Sequence, residues 1–162
     1  RSRSSGKIKV SMIGSAEMMR ILVILADYGY TYGIMDGQKK KILLVEDDDT
    51  LAEVYRQRLE LEGFDVRRSN NGESALSDAV EYHPDLILLD VMIPNLSGFD
   101  VLDILRNSPQ SRNVYIIMLT ALSQPKDAER AKQLGADDFL VKSQVVIGDV
   151  VARIKNKLNI PD

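Results

Sequence analysis

The chain has 162 residues, 44% apolar and 28% charged, which suits one globular domain with an extension and excludes general disorder. It contains no cysteine and a single histidine, His83, so disulfide scaffolds, thiol catalysis and zinc sites built from several cysteines or histidines are excluded. The net charge is −3, but residues 1–36 hold five of 21 basic and three of 24 acidic residues, which leaves 16 basic and 21 acidic residues in 37–162. Because an acidic body does not attract nucleic acid over long range, we expect no nucleic-acid partner.

Residues 1–36 differ in character from the rest of the chain. They begin with the basic, serine-rich stretch RSRSSGK and contain one short apolar run, ILVILA, at 21–26. This run is too short for a secretory signal, and no run in the chain approaches the roughly 18–20 residues that span a bilayer. We therefore expect residues 1–36 to be a flexible extension or a mis-called start, 37–162 to be the folded domain, and the protein to be cytoplasmic without membrane contact.

From Lys40 onward, short apolar runs alternate with segments of helical periodicity. The predicted strands are at residues 42–45, 64–68, 86–89, 114–119 and 139–141. The predicted helices are near residues 51–59, 75–80, 99–105, 125–134 and 147–158, and the apolar stripes of the first two include Val54 and Val80. This alternation predicts an α/β fold, a flavodoxin-like doubly wound parallel sheet of five strands in the order 2-1-3-4-5 with helices on both faces.

Polar residues directly follow four of the apolar runs. These residues are Glu46 and Asp47, Asp90, Thr120 and Lys142. Because the carboxyl ends of parallel strands meet at one edge of a sheet, three carboxylates, a hydroxyl and an ammonium should share one pocket. Crowded carboxylates need a proton or a cation, and oxygen ligands suit Mg²⁺. An aspartate can be the nucleophile of phosphoryl transfer, so the central Asp90 is the predicted acceptor.

Four stretches of the chain resemble the receiver domain of two-component response regulators, of the chemotaxis-receiver kind. They are ILLVEDD at 42–48, DLILLDVMIPNLSGFDVL at 85–102, IIMLTA at 116–121 and GADDFLVKS at 135–143. Each stretch alone would be a weak signal, but the four together in this order are specific.

The resemblance implies a role for seven residues of this chain. The implied catalytic residues are Asp90 as phosphoacceptor, Thr120 and Lys142. The implied Mg²⁺ ligands are Glu46, Asp47, Asp90 and the backbone carbonyl of Met92. Phe139 falls at the switch aromatic position. Two departures from the family pattern are Glu46, where aspartate is commoner, and Ser143, where proline usually follows the lysine.

The resemblance further implies a phosphorylation-dependent switch and not an enzyme with a separate substrate. A sensor histidine kinase or phosphotransfer protein would supply the phosphoryl group from a phosphohistidine. The face made by the fourth helix, the fifth strand and the last helix would then bind a downstream protein or, on phosphorylation, a second copy of the chain. Because few residues follow the last helix, we expect a stand-alone receiver; the alternative is the receiver part of a longer regulator.

Three other functions compete with this hypothesis. A pseudo-receiver would be a docking module that never takes phosphate. A phosphatase with an aspartate nucleophile would need an acid or base two residues later, where this chain has Met92. A flavin protein would need a phosphate loop after the first strand, where acids stand at 46–49. Outside the site, Arg67, Arg68 and His83 are expected to be solvated surface residues.

Overall fold

A computed structural model describes residues 38–161, which form a five-stranded parallel sheet between two layers of helices. The strands are β1 (Lys41–Val45), β2 (Asp65–Ser69), β3 (Leu86–Leu89), β4 (Tyr115–Thr120) and β5 (Asp138–Val141). The helices are α1 (Asp49–Leu61), α2 (Gly72–Tyr82), α3 (Gly98–Asn107), α4 (Pro125–Gln133) and α5 (Ile147–Lys157). The strand order is β2-β1-β3-β4-β5, which confirms the predicted topology. The expected extension at 1–36 lies outside the described residues.

The alternation of side chains along the central strands divides the core into two layers. One layer packs the sheet against α1 and α5, and its strand residues are Ile42, Leu44, Leu86, Leu88, Ile117 and Leu119. The other packs it against α2, α3 and α4, and its strand residues are Leu43, Val45, Ile87, Leu89, Ile116 and Met118. Because β1, β3 and β4 are covered on both faces, their sequences are continuously apolar. No helix among residues 38–161 is both long enough and apolar enough to cross a membrane.

Two apolar residues predicted to lie on buried helix stripes are exposed instead. Val54 on α1 is 52% exposed and Val80 on α2 is 46% exposed. Val54 precedes the buried Tyr55, and Val80 follows the buried Ala79. Because successive side chains of a helix point about 100° apart, both valines turn away from the buried face. The apolar stripes predicted for these two helices were therefore wider than the faces that the sheet covers.

A side chain caps the amino terminus of each of the first three helices, and for α3 the capping residue is Ser97. Asp48 accepts a hydrogen bond from the N–H of Leu51 at 2.8 Å and so caps α1. Asn71 caps α2 in the same way through the N–H of Ser74. Gly72 is therefore the first residue of this helix.

The start of α3 lies unusually close to the chain that follows β3. A Cβ atom built on Gly98 would be 2.1 Å from the carbonyl oxygen of Asp90 and 2.7 Å from the Cα of Val91. The N–H of Gly98 also donates to the carbonyl of Val91 at 2.9 Å. Only glycine fits this contact, which fixes the backbone of Asp90 against the first turn of α3.

We expect Gly98→Ala to lower the free energy of unfolding by about 1–3 kcal/mol or more, as is typical of overpacking. The added methyl group would collide with backbone atoms that cannot move freely. Gly148→Ala is the matched control. A Cβ at Gly148 in α5 meets nothing within 4 Å, and alanine should add up to about 1 kcal/mol of helix propensity. Urea unfolding of the two variants measures both changes, and equal stability of the two would contradict the close contact.

Candidate functional site

The predicted site residues Glu46 and Asp90 meet at the carboxyl end of the sheet. Val45 and Leu89 are register partners of β1 and β3, and the N–H of Asp90 continues the ladder by donating to the carbonyl of Val45 at 3.1 Å. Glu46 and Asp90 therefore leave adjacent strands side by side, and both are buried, at 3% and 5% exposure. Asp47 follows on the exposed side, and carboxylate oxygens of the three residues lie within 4.8 Å of one another.

Lys142 brings a cation to two of these carboxylates. It lies in a short 3₁₀ turn, Lys142–Gln144, directly after β5. Its Nζ atom donates to Oδ2 of Asp90 at 2.6 Å and to Oε2 of Glu46 at 2.5 Å. The residues described contain no cis peptide bond, so the lysine reaches the carboxylates with a trans bond before Ser143. The missing proline does not displace Lys142 from the site.

The electrostatics of the cluster show a shortage of positive charge. Burial raises the pKa of Glu46, and the hydrogen bond and charge of Lys142 only partly offset this effect. Burial alone would lower the pKa of Lys142, but its bonds to Asp90 and Glu46 outweigh that effect and the pKa is raised. The lysine therefore stays charged, while one ammonium is shared between two buried carboxylates and a third carboxylate lies nearby.

This donor set fits a magnesium ion. Three carboxylates and one ammonium leave a net charge of about −2 when all are ionised. All of the candidate ligands are oxygens, two are buried and the third is open to water, which suits an ion that keeps several water ligands. Glu46, Asp47 and Asp90 could hold such an ion while Lys142 remains at the buried edge of the cluster.

Met92 contacts the site through its backbone. Its N–H donates to Oδ1 of Asp90 at 3.0 Å, so each carboxylate oxygen of Asp90 has one donor. The side chain of Met92 is 60% exposed and borders the site on the solvent side. The role of its carbonyl as a metal ligand stays a prediction.

The hydrogen bonds and ion pairs of the cluster involve neither Thr120 nor Phe139. Thr120 ends β4 and is fully buried, and its Oγ1 accepts a long hydrogen bond, 3.4 Å, from the N–H of Leu122. Phe139 lies on β5, opposite Met118 of β4, and is partly buried against the core layer of α2, α3 and α4. The structure thus brings four predicted residues into contact, Glu46, Asp90, Lys142 and Met92, with Asp47 at their edge.

Arg68, expected from the sequence to be a solvated residue, also belongs to this region. It pairs with Asp49 and bonds two carbonyls of the loop between β1 and α1. Arg67 is likewise paired, with Asp78 on α2. The prediction of a solvated residue was wrong at Arg68, whose side chain is only 26% exposed and bonds two loop carbonyls. The side chain of Arg67 is 41% exposed, as expected for a surface residue, and it points to the opposite face of β2 because neighbouring residues of a strand alternate.

Comparison with known proteins identifies the family. The family model described as the response regulator receiver domain matches residues 42–155. A CheY-like receiver domain protein from Methanospirillum hungatei superposes with a TM-score of 0.70 at 26% identity, covering 75% of this chain and 95% of that one. The N-terminal receiver domain of RstA from Klebsiella pneumoniae, in a BeF3-activated form, gives 0.68 at 28% identity, covering 74% and 98%. The chain belongs to the response regulator receiver family.

Curated relatives are longer proteins. The DNA-binding response regulator MtrA of Mycolicibacterium smegmatis is 39% identical over 124 residues, which are 76% of this chain and 53% of that protein. The regulator RpaA of Synechocystis, named as a DNA-binding dual master transcriptional regulator, is 34% identical over 122 residues, 75% of this chain and 50% of that protein. The chain spans about half the length of the curated relatives it matches.

We expect Mg²⁺ to raise the thermal unfolding midpoint of this protein, because the ion binds the folded carboxylate cluster and relieves its repulsion. Asp47→Asn should remove most of this shift by removing the exposed carboxylate of the cluster. Asp48→Asn is the control, since asparagine caps a helix as well as aspartate does. A scanning fluorimetry titration with MgCl₂ compares the three proteins, and equal shifts in all of them would contradict the assignment of the site.

Proposed function

We propose that this receiver domain accepts a phosphoryl group on Asp90 from a phosphohistidine and changes its binding surface in response. The observation that supports this proposal most is the position of Asp90. Its carboxylate is buried at the carboxyl edge of the sheet, within 2.6 Å of the Lys142 ammonium and beside two further carboxylates. Phosphoryl transfer requires little beyond such positioning and charge compensation.

The proposed reaction is a direct transfer between two side chains. A carboxylate oxygen of Asp90 attacks the phosphorus atom, and an O–P bond forms as the N–P bond of the donor phosphohistidine breaks. The imidazole keeps the electron pair of that bond, and the product on this chain is an aspartyl phosphate. A bound Mg²⁺ would supply charge neutralisation for the phosphoryl oxygens. The domain promotes its own modification and acts on no separate substrate.

Two residues of the chain are placed to hold the product. Lys142 is charged and already bonded to Asp90, so its ammonium can move from a carboxylate oxygen to a phosphoryl oxygen. Thr120 has only a long bond to Leu122 through its hydroxyl oxygen, so turning the hydroxyl toward the phosphoryl group sacrifices little. Both residues thus gain a partner that the unphosphorylated site lacks.

The proposed output is a change of the face formed by α4, β5 and α5. Movement of Thr120 toward Asp90 opens space beside β5, and the partly buried ring of Phe139 turns into it. A partner that binds only one arrangement of this face would then detect phosphorylation. A downstream protein and a second copy of this chain are both partners of this kind, and a histidine kinase or phosphotransfer protein is the phosphate donor.

Of the two forms predicted from the sequence, the receiver part of a longer regulator has the better support. MtrA and RpaA are about twice the length of the matched region, and both are named as DNA-binding regulators. The expectation of a stand-alone receiver has no such support from these relatives. Nor do they support the expected absence of a nucleic-acid partner for the protein as a whole.

Intact-mass measurement after incubation with Mg²⁺ and a small-molecule phosphodonor tests the proposal. We expect the mass to increase by one phosphoryl group, and we expect no increase in Asp90→Asn or in the presence of a chelator. Asp100→Asn is a control of the same chemistry, since Asp100 lies in the first turn of α3, away from the cluster. A folded protein that takes up no phosphate would instead support the docking-module alternative.

We also expect the phosphorylated protein to lose its phosphate slowly. The backbone N–H groups of Met92 and Leu122 bond Asp90 and Thr120, and the apolar side chains of the two residues would offer an attacking water molecule no hydrogen bond. The double variant Met92→Asn, Leu122→Glu should hydrolyse several times faster, because both new side chains can orient water. Following the phosphorylated mass over time gives both lifetimes. A wild-type lifetime no longer than that of the variant would refute the prediction.

A further inference from the structure

Arg68 connects the end of β2 to the loop that carries two of the acidic residues. Its Nε donates to the carbonyl of Glu46 at 3.0 Å, and a terminal nitrogen donates to the carbonyl of Asp47 at 3.1 Å. Its other terminal nitrogen pairs with Asp49 at 2.7 Å. One guanidinium therefore bonds two residues of the loop between β1 and α1 and the first residue of α1, and only 26% of the Arg68 side chain is exposed.

These contacts restrict the loop at the point where its geometry matters. The N–H of Glu46 donates to the carbonyl of Ser69 at 3.1 Å, so the carboxyl end of β2 bonds both the N–H and the carbonyl of Glu46. The carbonyl of Asp47, the residue with the exposed carboxylate, has Arg68 as its partner. Fixing two successive carbonyls fixes the direction in which the two acidic side chains leave the backbone.

The neighbouring arginine provides a natural comparison. Arg67 points to the opposite face of β2, where it pairs with Asp78 at 3.2 Å and lies over the ring of Tyr82. It carries the same charge on the same strand, but among residues 38–161 its side chain bonds Asp78 and not the loop after β1. Any effect confined to Arg68 is therefore an effect of its contacts and not of basic charge on β2.

We propose that Arg68 is a positioning residue for the divalent-cation site, which holds the loop of Glu46 and Asp47 in the geometry that the cation needs. This inference deepens the proposed function and rests on the assignment of the carboxylate cluster to Mg²⁺. The exposed ion pair with Asp49 contributes little to it, because Asp49 is 89% exposed and such pairs are weak. The two carbonyl contacts are the main contribution.

Positioning and simple charge make opposite predictions for Mg²⁺ affinity. Arg68 is a cation near a cation site, so through its charge alone it repels Mg²⁺, and its removal would tighten binding. If its contacts hold the loop, removal weakens binding, by about 10-fold when a residue that orients metal ligands is lost. The sign of the change therefore separates the two roles.

The experiment measures Mg²⁺ affinity in the full chain, with MgCl₂ as the only ligand. The thermal midpoint as a function of MgCl₂ concentration gives an apparent Kd. The variants are Arg68→Met, which keeps the aliphatic stem, Arg68→Lys, which keeps the charge without the planar fork, and Arg67→Met as the matched control. Far-UV circular dichroism without Mg²⁺ establishes that each variant is folded, and Arg68→Lys provides the test if Arg68→Met does not fold.

We expect Arg68→Met to bind Mg²⁺ about 10-fold more weakly than wild type. Arg68→Lys should also bind more weakly, and Arg67→Met should stay within about twofold of wild type because distant charge is screened. Equal or tighter binding in Arg68→Met, or full recovery in Arg68→Lys, would overturn the inference and leave the proposed phosphorylation untouched. A wild-type protein that binds no Mg²⁺ would overturn the inference together with the magnesium requirement of the proposed function.

Discussion

The ion pairs of Lys142 with Glu46 and Asp90 are the interaction on which the rest of the site depends. The lysine comes from the end of β5, while the carboxylates come from the ends of β1 and β3. Burying the two carboxylates without this ammonium would leave uncompensated charges, which cost several kcal/mol each even after relaxation. The Lys142 ammonium therefore links the edge strand β5 to the central strands, and it allows the folded state to bury carboxylates that would otherwise be uncompensated.

The ammonium of Lys142 offsets only part of the negative charge of the cluster. Neighbouring residues nevertheless hold the carboxylates in place. The close approach of Gly98 fixes the backbone of Asp90 from the side of α3. Arg68 fixes the loop after β1 from the side of β2. Repelling carboxylates would move apart if their loops were free, so these two backbone restraints preserve a geometry that favours an additional cation. The backbone restraints and the excess negative charge of the carboxylates thus act together to favour binding of a cation.

The sequence predicts most of this fold because its strongest signals are local. A continuous apolar run of four residues such as 86–89 is typical of a strand covered on both faces, and the polar residue that follows such a strand lies at the sheet edge. What could not be predicted depends on distant contacts. Val54 is exposed because the sheet covers only a narrow face of α1. Arg68 contacts the acidic loop because β2 pairs with β1. Alternation along β2 separates Arg67 from Arg68, but it does not reveal what either one contacts.

The register of β4 and β5 explains how a change at the site could reach the protein surface. Met118 and Thr120 lie on the same face of β4, because side chains alternate along a strand. Phe139 is the register partner of Met118 and packs in the same core layer. The hydroxyl that the proposed phosphoryl group would attract and the partly buried ring therefore lie on the same face of neighbouring strands, two residues apart in the register. Since that core layer is close-packed, Thr120 cannot move inward without changing the space available to Phe139.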